Sequence, residues 1–107
     1  MQILDIWINC PDAATADRIA DALIARRLVA CANRFAPIES AWHWQGAVER
    51  GTEVPLLLKT RESLFDAAAA AAAEIHPFEV PAITAVPVAR ATPAYAEWVV
   101  AETGAGA

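Results

Sequence analysis

Cysteine is scarce in this chain. Only Cys10 and Cys31 occur among its 107 residues, and they form no CxxC pair. A disulfide framework and a zinc ribbon both need more thiols at short spacings, so neither is expected. No apolar stretch approaches the roughly 20 residues a membrane-spanning helix requires. Met1 leads straight into Gln2-Ile3-Leu4-Asp5, without a basic segment or a small-residue cleavage site, so no secretory leader is expected. Bases are also few: eight Lys and Arg face thirteen acids, for a net charge of −5. A nucleic-acid binder needs clustered cations to displace phosphate counterions, and no such cluster exists. There is no phosphate-cradling glycine loop, no HxxxH, no nucleophile–base–orienter set and no paired carboxylates at glycosidase spacing, so no enzyme is expected. These absences lead to the expectation of a reduced, cytoplasmic single domain, spanning residues 1–103, with no nucleic-acid or membrane partner.

Alanine is what the chain has in excess. The apolar fraction is 57%, but 27 residues are alanine, including the unbroken run Ala67 to Ala73. Without alanine only about a third of the chain is apolar, so the headline fraction says little about surface stickiness.

The pattern along the chain predicts alternating strands and helices. Residues 2–9 are apolar on both parities except Asp5, as in a central strand covered on two sides. Cys10-Pro11-Asp12 ends it, and Asp12 is a good helix cap. Ala16, Ile19, Ala20, Leu23 and Ile24 then follow helical spacing, closed by Arg26 and Arg27. Residues 28–45 read as one strand, with Trp42 and Trp44 on one side and His43 on the other. Gln45-Gly46 marks a turn, and residues 47–60 run back antiparallel. Thr60 is expected to cap a helix over 61–75, with Leu64, Ala68, Ala71 and Ile75 facing inward.

The segment His76-Pro77-Phe78-Glu79-Val80-Pro81 ends that helix, because two prolines so close cannot lie inside one. His76 is left at a helix C-terminus. A strand is predicted over 82–89, with Pro87 arguing for an edge position. Thr92-Pro93, a capping hydroxyl followed by proline at the first helical position, starts a last helix carrying Tyr95, Trp98 and Val99, and residues 104–107 read as a disordered tail.

This order is the split βαβ of a ferredoxin-like fold, α+β in class: βαββαβ with a long central hairpin and an additional C-terminal helix. Its two main helices cover one sheet face. The other face must then carry either Ile3 and Trp7 or Leu4, Ile6 and Ile8, and it needs a cover of its own. Association with other copies is expected to supply it.

Several segments resemble the CutA family of divalent-cation tolerance proteins over nearly the whole chain. They are Cys10-x-Asp12-x-x-x-Ala16, Leu28-Val29-Ala30-Cys31-Ala32-Asn33, Ser40-x-x-x-Trp44-x-Gly46-x-x-Glu49, Glu53-Val54, Leu58-Lys59-Thr60, His76-Pro77-Phe78-x-x-Pro81 and Tyr95-x-x-Trp98. The resemblance implies a homotrimer assembled like the PII signalling proteins, and a link to tolerance of copper and other divalent cations. The chain departs from the family pattern at Ala47, where lysine is common, and at Ala82, where glutamate is common.

Metal binding would rest on Cys10 and His76, since a thiolate and an imidazole suit copper or zinc. Buried structural roles compete for both, as they do for Cys31. A charged rim of Glu49, Glu53, Lys59 and Thr60 around Trp44, Tyr95 and Trp98 would form a cleft between subunits. The primary expectation is a trimeric cytoplasmic protein that binds copper or another divalent cation without turnover and needs no organic cofactor. The alternative is a PII-like module whose cleft takes a small ligand or partner.

Overall fold

The computed structural model describes residues 2–104. Strand β1 spans Ile3–Cys10 and helix α1 spans Ala13–Ala25. Strands β2 (Cys31–Arg34), β3 (Ile38–Trp44) and β4 (Ala47–Arg61) follow. Next come a single 3-10 turn (Glu62–Leu64), helix α2 (Phe65–Ile75), strand β5 (Ile83–Pro87) and helix α3 (Pro93–Ala101). The sheet order is β2-β4-β1-β5, with β3 paired to the outer half of β4, and every pairing is antiparallel. The fold is thus mixed α+β, with β1 central and β5 at an edge, where Pro87 costs no interior ladder bond.

Residues directly opposite each other in a ladder share a face. Ile6 faces Leu58, Ile8 faces Leu56 and Cys10 faces Val54. These side chains form one core with Ala16, Ile19 and Leu23 of α1 and Ala68, Ala71 and Ala72 of α2. The alanine stripe lets α2 lie close against the sheet. Leu64 and Ile75 pack at its ends, whereas Ile24 of α1, expected inside, is 44% exposed.

On the opposite face stand Ile3, Asp5, Trp7 and Asn9, the first of the two sets considered above. Helix α3 lies over part of this face: Tyr95 stands beside Cys31 and Asp5, and Val99 is fully buried. The rest of the face stays open. Trp7 meets Phe35 there with ring centroids 5.4 Å apart, and Phe35, Val86 and Trp98 are all exposed.

Asp12 caps α1 as expected, its Oδ1 accepting from the Thr15 amide at 2.7 Å. The hairpin turn places Gln45 and Gly46 both at positive φ, 49° and 82°, the twist that a two-residue connection demands.

Four local expectations need correction. Thr92 precedes Pro93 at the start of α3, but its hydroxyl makes no capping bond. Thr60 stays inside β4, fully buried, and donates to the Leu28 carbonyl at 2.6 Å instead of capping α2. Gly104, expected in a loose tail, donates to the Arg27 carbonyl at 3.0 Å; residues 105–107 of that expected tail lie outside the described residues.

The fourth correction concerns the single strand expected over 28–45, which is two strands. Arg34 pairs with Leu56, but Ile38 pairs with Glu53. Four residues advance on one side for three on the other, so the segment carrying Pro37 is a bulge. The one-residue slip turns the even-numbered residues of β3 to the side where the odd-numbered residues of β4 stand.

Thr60→Val keeps the shape of the side chain but leaves the buried Leu28 carbonyl without its donor. We expect a loss of about 1–3 kcal/mol in unfolding free energy by urea titration; an unchanged midpoint would show that the bond contributes nothing.

Candidate ligand cleft

The bulge builds the site. Because of the slip, Trp42 lies opposite Glu49, Ser40 opposite Gly51 and Trp44 opposite Ala47. Ser40, Trp42, Trp44, Glu49 and Glu53 therefore share one side of the β3–β4 hairpin. Gly51 makes room there: a Cβ at that position would stand 3.4 Å from the Trp42 ring, so the indole lies across the glycine. Facing the hairpin is the segment after α2, and Asn9 from the end of β1 also lines the space. Together they enclose a cleft of about 790 Å³, whose other wall carries Pro77, Phe78, Glu79 and Val80.

His76 fixes that wall. Its Nε2 lies 2.8 Å from the Asn9 carbonyl, and its Nδ1 accepts from the Phe78 amide at 3.2 Å. An amide N–H can only donate, so Nδ1 is unprotonated and Nε2 carries the hydrogen. The Phe78 ring meets the imidazole nearly edge-on, with centroids 5.0 Å apart.

The charge of the cleft is one-sided. Its lining holds Glu49, Glu53 and Glu79 with His43 at the exposed rim, and no lysine or arginine. Glu53 is the unusual one. It is 8% exposed, the sole buried carboxylate among the described residues, and no hydrogen bond or ion pair among them reaches it.

The residues expected to line a cleft separate into three places. Trp44, Glu49 and Glu53 line the cleft. Lys59, Tyr95 and Trp98 do not: Lys59 pairs with Asp5 at 3.1 Å, six residues along β4 from Glu53, about 20 Å at ~3.3 Å per residue. Tyr95 stacks at a tilt on Trp98, centroids 5.8 Å apart, under α3. Burial, the neighbouring Cys31 and Asp5 all push the Tyr95 hydroxyl pKa upward. Thr60 points to the helical side of the sheet.

Cys10 and His76 do meet at one corner, since His76 bonds the residue next to Cys10. Neither is presented as a ligand there. Both ring nitrogens of His76 are engaged. Cys10 is fully buried, and burial, then Asp12 and Glu53, raise its thiol from 9.0 to about 11. Among the described residues no three His, Cys, Asp or Glu side chains converge, so the residues do not fit a resident metal. Cys10 and Cys31 are both free thiols. They stand on opposite faces of the sheet, opposite Val54 and Lys59 respectively, and cannot bridge.

Sequence reasoning missed Asn9, Phe78 and Glu79 as cleft residues. The two-proline corner was the available signal, because it forces residues 77–81 to leave the helix and face the hairpin.

A protein-family model described as CutA1 divalent ion tolerance protein matches residues 4–102. Protein CutA of Mus musculus is 37% identical over 87% of this chain and 52% of its own length; the chain spans about half the length of that relative. The divalent-cation tolerance protein CutA of Pyrococcus horikoshii is 35% identical over 92% of this chain and 95% of its own. A solved structure described as the periplasmic divalent cation tolerance protein CutA from Archaeoglobus fulgidus superposes with a TM-score of 0.87 at 33% identity, covering 91% of this chain and 94% of that one.

The raised thiol has a measurable consequence. Between pH 9.0 and about 11 the folded Cys10 keeps its proton while the unfolded one loses it, so unfolding free energy falls as pH rises through this window. Cys10→Ala is expected to flatten that fall relative to the parent in denaturant titrations at pH 8, 9.5 and 11. Parallel curves would mean the thiol is not held protonated.

Proposed function

The chain belongs to the CutA1 divalent ion tolerance family, and from that premise we propose that it binds divalent cations weakly and reversibly, as cargo and without turnover. The observation that carries this is the charge of the cleft, three carboxylates with no lysine or arginine between them. Carboxylates and water suit divalent cations of hard or borderline character, and a site without a closed cage exchanges them readily. Copper remains within that range.

The geometry favours the cleft carboxylates Glu49 and Glu53 over the Cys10–His76 corner. Binding at the corner would have to displace the Asn9 carbonyl from the imidazole and strip the thiol of its proton. The PII-like alternative, a pocket for an anionic metabolite, gains nothing from a lining of this sign.

Assembly as a homotrimer with the ferredoxin-like arrangement belongs to the same proposal. A split βαβ with its intervening strand at the centre is that arrangement. The uncovered Trp7, Phe35 and Val86 are the surface that neighbouring copies would cover. A cytoplasmic location is not part of it, since the Archaeoglobus relative is described as periplasmic.

Calorimetric titration with Cu²⁺ and Zn²⁺ tests the ligands. Glu53→Gln and Glu49→Gln are each expected to weaken binding several-fold, while Cys10→Ser leaves it unchanged. Carboxylate binding should also stay flat above about pH 6, whereas a thiolate site would tighten with every pH unit. Dependence on Cys10 together with such a climb would move the site to the corner, and the absence of any binding would sink the reading.

A further inference from the structure

The cleft holds more than charge, and its aromatic content is not what an inorganic divalent ion uses. Calcium, magnesium and manganese collect oxygen ligands, six or more where they can. Here one nearly buried carboxylate, Glu53, shares the cleft with the rings of Trp42, Trp44 and Phe78, and the Trp42 ring reaches back over Gly51, two residues from it. No hydrogen bond or ion pair within the described residues takes up this carboxylate, so its charge is left for whatever enters the cleft. The rings meanwhile offer electron-rich faces, which attract weakly hydrated cations. The Trp42 indole is held half-buried across Gly51. The volume, about 790 Å³, falls in the range that buries most of a small organic molecule.

We infer that the cleft is a binding site for an organic cation, an ammonium or guanidinium group carried on an apolar or aromatic body, with the charge against Glu53 and the body between Trp42 and Phe78. The inference rests on the reading that this cleft takes cations, and it names a ligand class of its own. Glu49 and Glu79 nearer the rim add attraction for the same sign and repel carboxylates and phosphates. Asn9 is not free to help through its carbonyl, which the His76 imidazole already occupies. Each wall has its own job. The hairpin supplies charge and indole faces, while the segment after α2 closes the apolar side.

Three probes of similar size separate the contributions: benzyltrimethylammonium, benzyl alcohol and phenylacetate, each titrated by calorimetry into the full-length protein in its native assembly. The ammonium is expected to bind at least about tenfold more tightly than the alcohol, and phenylacetate not at all. Glu53→Gln should erase the preference for the ammonium over the alcohol. Trp42→Leu should weaken the ammonium about tenfold while leaving Zn²⁺ binding where it was. Equal binding of alcohol and ammonium, an ammonium preference that survives Glu53→Gln, or no binding of the ammonium would overturn the inference. The last is the outcome if a basic side chain of a second copy fills the cleft. Failure with Zn²⁺ binding retained leaves the cation reading standing. Failure with Zn²⁺ binding also lost removes both.

Discussion

One imidazole holds the two halves of the cleft in relation to each other. After α2 the chain must change from helix to strand within a few residues, and two prolines forbid it from doing so by fraying. His76 takes up the first extended position, its own amide still closing the last helical turn on Ala72. Its ring then joins three separate pieces: the helix it ends, the end of β1 through the Asn9 carbonyl, and the outgoing segment through the Phe78 amide. The imidazole itself is buried and both hydrogen bonds are partly so, and losing either would cost stability. The wall facing the hairpin is therefore set by a side chain that lies behind the cleft and does not line it.

Strand β4 is the second constraint. Its fifteen residues are too many for the sheet that α1 and α2 can cover, so the inner half belongs to the core and the outer half projects with β3. The change is visible in burial, which is continuous over Glu53 to Leu58 and falls away toward the turn. Glu53 sits at that transition. It is shielded like a core residue yet faces the same side as the exposed hairpin carboxylates, and this gives the cleft a buried charge at its inner end. The opposite end of the same sheet face is differently made. Asp5 and Lys59 neutralise each other there, Tyr95 stands beside Cys31, and α3 is tied down through Arg27 and Arg61 to the carbonyls of Glu102 and Thr103.

Much of this was legible before any coordinates. Periodicity and punctuation placed β1, α1, β4 and β5 and the end of α2 near their observed limits, because prolines 11, 77, 81 and 93 leave few alternatives and Asp12 caps as its type predicts. The face opposite the helices was narrowed to two possible sets, and the structure takes the one with Ile3 and Trp7. What escaped was register. A single extra residue between Arg34 and Ile38 decides which side Trp42 and Trp44 face, and no local propensity marks a bulge apart from Pro37. Lys59, Tyr95 and Trp98 were grouped with Glu53 because they are polar or aromatic and belong to shared motifs. Distance along β4 separates them. Thr60 was read as a cap on its chemistry, but a buried carbonyl at Leu28 had the stronger claim. Cys10 and His76 were read as metal ligands from their chemistry, but their freedom to bind depends on hydrogen bonds and burial that only the folded chain displays.

The account stands on the state of the His76 ring. Long-range ¹H–¹⁵N correlation spectra of the imidazole at neutral pH measure it directly. A neutral ring with the proton on Nε2, bonded to Asn9, and a bare Nδ1 is the predicted result. A proton on Nδ1, or a ring averaging rapidly between tautomers, would mean that Phe78 is not held by it and that the cleft wall has some other support.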